Sequence, residues 1–247
     1  MLSGLTIPIT VILANLAPVL LLPLFNKFEP LENEKLAKRI RKLAAGQGIH
    51  VSEVLQMDMS KQTKKANAFF TGLGNTKRIV LGDTLLDEFD EDEVEVVLAH
   101  ELGHQVHRDI WKLIGLQLPV TLLTFYVSNR LIGPVMRRFG SRWGLRTDEG
   151  ARDIAALPLL MLLGGLARLV LMPALNAISR NAVEHQADVY ALDLTGKTDA
   201  FVGAMRKLGR MNLSNPKPSA LVKFMLYSHP PLAERIAFGR SYRAKNK

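Results

Sequence analysis

No charged side chain occurs between residues 2 and 26, and this constrains the chain more than any other feature. An uncharged run of that length spans about 30 Å or more as a helix, enough to cross the hydrocarbon core of a bilayer. It therefore reads as a transmembrane segment. A cleaved signal peptide is the rival, but no basic region precedes the run, Pro8, Pro18 and Pro23 interrupt it, and no small-residue cleavage site follows. Residues 113–129 and 154–167 are also uncharged, and a further uncharged run covers 169–179 after Arg168. These predict two more membrane helices, in which Arg130 and Arg168 must reach the interface, pair, or face the protein interior; buried core helices are the alternative. Residues 137–153, rich in Arg, Gly and acidic side chains, read as the loop between them.

The net charge of +9 would suit nucleic acid or an anionic lipid surface, yet four Tyr and two Trp are few as stacking platforms for bases. Nucleic acid is therefore excluded as a partner in favour of membrane lipid. Lys27, Lys35, Lys38, Arg39, Arg41 and Lys42 directly follow the first uncharged run, as expected on the cytoplasmic side of a membrane helix. A solvated basic helix face is equally compatible with that cluster. The chain has no cysteine, so any metal site must be built from histidines and carboxylates.

Leu36, Ile40 and Leu43 form one stripe among charges over residues 31–45, the pattern of an amphipathic helix that Gly46 and Gly48 end. Residues 51–59 carry Val51, Val54, Leu55, Met57 and Met59 and read as a strand with an irregularity. The short runs 68–71 and 78–81 flank Gly72, Leu73, Gly74 and Asn75 and predict a β-hairpin. Asp90 with Glu93 forms a helix-start signal, and Val94, Val97, Leu98 and Leu102 supply the apolar face of the helix that follows.

That helix carries His100-Glu101-Leu102-Gly103-His104. Histidines four apart on a helix project to one face and can grip a single zinc ion, while Glu101 beside them can take a proton from water activated by the metal. A catalytic zinc site needs three protein ligands and an open position. Glu184 is the candidate for the third, because Arg180, Glu184 and Asp188 recur at steps of four and so share one helical face. Asp188 would then accept a ring N–H from a ligand histidine. His107 and His185 are rival third ligands, although three ligands on one short helix would strain tetrahedral zinc.

Several segments, in order, extend the pattern over nearly the whole chain: Leu24-Phe25-Asn26-Lys27-Phe28-Glu29-Pro30-Leu31, Asn67-Ala68-Phe69-Phe70-Thr71-Gly72-Leu73, and the stretch 78–86. The zinc motif, the segment 179–188, and Tyr227-Ser228-His229-Pro230-Pro231-Leu232-Ala233-Glu234-Arg235 complete it. Together they resemble the integral-membrane metalloproteases of the CAAX prenyl protease type 1 family. The resemblance covers only the C-terminal part of that family's pattern, and the family's aromatic residue before the ligand glutamate is here Val183. It implies one Zn2+ per chain at His100, His104 and Glu184, a proton-transfer role for Glu101, and His229 near the scissile carbonyl. It also implies substrate contact along the strand with Asn67, Ala68, Phe69, Phe70 and Thr71, where an extended peptide could add as an extra strand.

The expected fold is mainly α: multi-pass membrane helices, a zincin-type catalytic helix pair and a small β-sheet. The expected organisation is a membrane helix at 1–26, a catalytic segment at 27–110, two membrane helices within 111–179, and the third-ligand helix with a catalytic tail at 180–247. The expected function is a zinc-dependent membrane endopeptidase acting on a peptide or protein, with a prenylated substrate as a candidate. The location it implies is a prokaryotic inner membrane with the site on the cytoplasmic side, or the endoplasmic reticulum membrane. An HtpX-type quality-control protease and a non-catalytic zinc scaffold are the competing readings. The presence of Glu101 argues against the scaffold, which has no use for a base beside the metal.

Overall fold

A computed structural model describes residues 22–72, 77–145 and 154–245. The membrane helix expected at 2–26 lies outside these residues, apart from a helical turn at Leu22–Phe25. Four strands form one sheet in the order β1-β2-β4-β3: β1 (Phe28–Pro30), β2 (Glu53–Met57), β3 (Ala68–Thr71) and β4 (Arg78–Gly82). β3 and β4 pair antiparallel, from Ala68 opposite Leu81 to Thr71 opposite Arg78, so the expected hairpin forms. Residues 73–76 of its turn are outside the described set. β2 runs parallel to β4 and antiparallel to β1. β1 has three residues, too few to display a period in sequence.

Side chains alternate across the sheet. Val54, Ala68, Ile79 and Leu81 enter the main core with Leu36, Ile40, Leu98 and Phe201. Leu55, Met57 and Val80 form a smaller cluster on the opposite face with Phe28, Met59 and Phe69 packed against it. The β2 run expected over 51–59 thus shortens to the residues that pair, because Ser52 instead donates its main-chain N–H to the Lys77 carbonyl outside the strand.

Helix α1 (Glu34–Ala45) starts at Asn33, whose side chain accepts from the Leu36 N–H at 3.0 Å. It stops at Gly46, and Gly48 with φ +72° makes the reversal that follows. After α2 (Asp83–Glu88), helix α3 (Glu91–Val106) opens with a full capping box. The Asp90 carboxylate accepts from the Glu93 N–H at 2.9 Å, and the Glu93 carboxylate accepts from the Asp90 N–H at 3.0 Å. Two orphan donors are thereby satisfied at the start of the helix that carries the metal motif. Arg39 of α1 pairs with Glu91, Asp92 and Glu95, and Lys197 pairs with Asp92 and Glu95. This charge network ties both flanks to α3 at its solvent side.

Helix α4 (Asp109–Phe139) leaves the sheet-bearing body and α5 (Leu157–Ile178) returns to it, the two packing together as a hairpin. Both are long and apolar enough to cross a membrane. Leu122, Leu123, Phe125, Leu131, Leu166 and Val170 remain exposed on their outer faces, so the alternative of buried core helices does not describe them. The loop expected over 137–153 starts later than read: α4 continues through Phe139 and a 3-10 turn extends to Trp143. Arg137 and Arg138 lie in the last turn of α4, where positive charge complements the free carbonyls. Arg130 is exposed, with its guanidinium 6.0 Å from the centre of the Tyr126 ring.

Beyond α5, a π-helical segment (Ser179–Glu184) leads into α6 (His185–Thr195), followed by α7 (Thr198–Met211), α8 (Ala220–Leu226) and α9 (Leu232–Lys245). Helices α3 and α6 pack side by side. Gly103 permits this, since a Cβ there would lie 3.2 Å from the Tyr190 ring and 3.3 Å from the Ala187 Cα. The second contact is backbone and cannot swing away. Gly103→Leu is accordingly expected to lower stability by about 1–3 kcal/mol through overpacking, measured by thermal or denaturant unfolding of the purified protein.

Candidate metal and catalytic site

His100 and His104 stand one turn apart on α3, and Glu184 ends the π-helical segment opposite them. The two Nε2 atoms are 3.2 Å apart, and they lie 3.4 Å and 3.8 Å from the nearest Glu184 oxygens. A tetrahedral centre with metal–nitrogen bonds of about 2.0–2.1 Å separates its donors by about 3.4 Å, so the three groups fit one ion. The donor chemistry agrees. Glu184 Oε2 is buried and makes no hydrogen bond, an arrangement that a cation between these groups would satisfy.

Both rings are held from behind. His100 Nδ1 donates to Asp188 Oδ1 at 2.9 Å, and His104 Nδ1 donates to Asp109 Oδ2 at 2.9 Å. Carboxylates accept only, so each ring carries its proton on Nδ1 and turns Nε2 toward Glu184. Asp188 is where the sequence periodicity puts it. Asp109 was not foreseen, since it belongs to the next helix. Arg108 makes the link: it adopts left-handed backbone geometry at φ 55°, ψ 40° and breaks α3 from α4. Asp109 is thereby turned back to His104.

The rival ligands lie elsewhere. His107 Nδ1 contacts the Gly103 carbonyl at 2.8 Å and its ring meets Tyr190 edge-on. His185 is exposed and packs its ring against Phe238. Arg180 differs from the sequence expectation in a third way. The π-helical turns between Ser179 and Glu184 place more residues in each turn than an α-helix does, so a step of four no longer preserves the face. Arg180 accordingly points away from His100 and His104 and donates to the main-chain carbonyls of Lys223 and Tyr227. Arg235 was also missed as a site residue, although it lies in the segment carrying His229; it donates to both carboxylate oxygens of Asp188.

Glu101 faces a cavity of about 330 Å³ that His100, His229, Tyr227, Arg235, Leu232 and Asn67 also line. Burial pushes the Glu101 carboxyl above the usual carboxylate range, against the pull of His100 and His104. His229 stands at the mouth, with Nε2 3.2 Å from Glu184 Oε1 and Nδ1 3.0 Å from Ser228 Oγ. Although its side chain keeps 60% exposure, partial desolvation and the neighbouring Arg235 push its pKa down despite the Glu184 charge. Of the strand expected to contact substrate, Asn67 and Ala68 border this cavity, whereas Phe69 packs into the cluster on the far face of the sheet. Phe70 packs against the main core, and Thr71 Oγ1 is buried without a hydrogen bond.

A model of peptidase family M48 matches residues 30–242. The chain belongs to peptidase family M48. It is 38% identical over 232 residues to the uncharacterized metalloprotease YhfN of Bacillus subtilis, a match covering 94% of this chain and 54% of that protein. It is 33% identical over 239 residues to CAAX prenyl protease 1 of Saccharomyces cerevisiae, covering 92% of this chain and 52% of the relative. The crystal structure of S. mikatae Ste24p superposes with a TM-score of 0.81 at 29% identity, over 96% of this chain and 57% of that one. This M48 chain thus spans about half the length of the curated relatives it matches.

In the M48 site, His100 has a distinctive titration. Burial alone would lower its pKa, but the adjacent carboxylates of Asp188 and Glu184 outweigh burial and raise it to about 9. A metal can take the Nε2 lone pair only after that proton leaves, so protons compete with metal below the raised pKa. Affinity for a divalent metal is expected to rise about tenfold per pH unit between pH 7 and 9 and to flatten above. Chelator-competition titrations over that range check it, and a flat profile would refute the assignment of Nε2 as a donor.

Proposed function

We propose that this M48 chain is a zinc-dependent membrane endopeptidase with His100, His104 and Glu184 as metal ligands and Glu101 as general base. The observation that carries the reading is the position of Glu101, buried beside the three-donor cluster and facing the cavity that His229 also lines. Metal storage has no use for a base at that point. Bound zinc would supply Lewis-acid polarisation of water and of the peptide carbonyl. Glu101 takes the proton of the attacking water and passes it to the leaving amine, a role suited by a carboxyl whose affinity for protons burial has increased. A ring N–H of His229, at the cavity mouth, donates to the developing oxyanion. Asp188 and Asp109 keep the ligand rings in the Nδ1–H form throughout.

Glu101→Gln is expected to lower kcat by about 10²–10⁴-fold, the usual contribution of a general base, while zinc content is unchanged. Metal analysis alongside peptide cleavage checks both halves; normal turnover by a zinc-loaded variant would remove Glu101 from the reaction.

The substrate backbone adds to β3, which is an edge of the sheet and borders the cavity through Asn67 and Ala68. The Gly82 N–H donates to the Asn67 carbonyl at 3.0 Å, which makes Asn67, Phe69 and Thr71 the residues whose main chain pairs inward with β4. Ala68 and Phe70 therefore turn their main-chain groups outward, toward an added strand. Ala68→Pro removes an outward donor and leaves the β4 ladder intact. It is expected to raise KM about tenfold, the equivalent of one net hydrogen bond of about 1.4 kcal/mol, with zinc content unchanged and the melting temperature lowered only by the overpacking of a buried alanine. Cleavage kinetics with unaltered KM in the folded variant would rule out this binding mode.

The similarity to CAAX prenyl protease 1 supports a prenylated peptide as the substrate class. The exposed apolar hairpin α4–α5 supports insertion in the bilayer, and the basic residues between Lys27 and Lys42 favour the cytoplasmic face of a prokaryotic inner membrane for the site.

A further inference from the structure

Two buried arginines join the C-terminal segment to the helix of Glu184, one from each side. Arg180 lies four residues before Glu184 and is 5% exposed. Its Nη1 donates to the carbonyl oxygens of Lys223 at 3.1 Å and Tyr227 at 2.6 Å, where α8 ends. Arg235 comes from α9, is 8% exposed, and donates from Nε and Nη2 to the two oxygens of Asp188, four residues after Glu184, at 2.9 Å and 2.5 Å. Between these two attachments run His229, Pro230 and Pro231. The same segment thus supplies one arginine and two carbonyls, and the Glu184 helix supplies the complementary partners.

The contacts on the two sides differ in what they control. Asp188 Oδ1 accepts from both Arg235 and His100 Nδ1, and Arg235 Nη2 itself lies 3.3 Å from His100 Nδ1, so guanidinium, carboxylate and ring form one buried cluster. With both of its oxygens engaged by one guanidinium, the carboxylate cannot rotate, and the His100 ring is oriented by a fixed acceptor. Arg180 hydrogen-bonds to main-chain carbonyls and to none of the three ligand side chains. It satisfies the Tyr227 carbonyl just past the helix and adds a second donor to the Lys223 carbonyl, which already accepts from the Tyr227 N–H at 3.2 Å, and so sets where the chain departs toward His229. We propose that the arginines divide the site into two separately adjustable halves: Arg235 positions the metal ligand His100 through Asp188, and Arg180 positions His229 through the main chain at Lys223 and Tyr227.

This inference rests on the zinc reading above, and the two can fail separately. Wild-type protein that binds no zinc ends the zinc reading; wild-type protein that binds it permits the comparison of variants. Purified wild type, Arg235→Gln, Arg235→Lys and Arg180→Met are compared by chelator competition for zinc, by amide hydrogen exchange, and by turnover. Arg235→Gln is expected to weaken zinc binding about 10–100-fold, and Arg235→Lys, which keeps the charge and loses the fork, to recover only part of the loss. Arg180→Met is expected to hold zinc within about twofold of wild type. Its amides at residues 227–229 should exchange about tenfold faster, with kcat lowered about tenfold or more and KM unchanged. If Arg235→Gln fails to fold because Asp188 is left as a buried lone charge, the double variant Asp188→Asn/Arg235→Gln replaces it with the same expected loss of affinity. Wild-type zinc affinity in the folded Arg235 variant overturns the proposal. So does an Arg180→Met protein that loses zinc as severely as Arg235→Gln, or one whose exchange and turnover match wild type.

Discussion

The close approach of α3 to α6 is the constraint on which the rest of the site depends. The metal motif contributes two of the three donors from a single helix, and a helix can present two side chains to one point but not three without distortion. The third must come from a neighbour within reach of a glutamate side chain. Gly103 removes the Cβ that would hold Ala187 and Tyr190 away, and the resulting contact brings Glu184 within 3.4 Å of His100. The glycine inside the motif is thus a packing residue, with a role distinct from that of the histidines on either side.

Close packing also explains how so many ionisable groups survive at the interface. His100, Asp109, Glu184, Asp188, Arg180 and Arg235 are all buried. Taking such charges out of water costs several kcal/mol each unless each finds a partner of good geometry. Here the partners are shared: Asp188 serves His100 and Arg235, and Asp109 serves His104 and Lys112. An apolar interface of the same volume would be as stable or more so. The arrangement is better understood as holding two imidazoles in one tautomer, with their other nitrogens left available, than as a source of stability.

The hairpin α4–α5 divides the donors in sequence, His100 and His104 before it and Glu184 after it. Because the hairpin leaves the body at Asp109 and returns at Ile178, its ends join elements on the same side. Asp109, its first residue, is itself a partner of His104. The membrane-like element and the site are therefore connected through a side chain, and the left-handed turn at Arg108 is the joint.

Much of this was legible in residue order. The capping signal at Asp90 and Glu93, the period of the apolar face, the hairpin of β3 and β4, and the four-residue step from His100 to His104 are local properties, decided by neighbours within one or two turns. The uncharged runs were equally plain, since a helix long enough to cross a bilayer must be apolar along its length. Glu184 and Asp188 entered the reading because they too obey a helical step. What residue order could not determine was any feature that depended on a departure from that step or on two distant segments meeting. The π-helical turns after Ser179 rotate Arg180 off the face its spacing assigned. Asp109 reaches His104 only through an unusual backbone conformation, and Arg235 reaches Asp188 only because α9 packs beside the site. Residue identity supplies the side chains that can do the chemistry. The tertiary structure decided which of them share a buried contact, because those distances arise from packing between helices and leave no periodic trace along the chain.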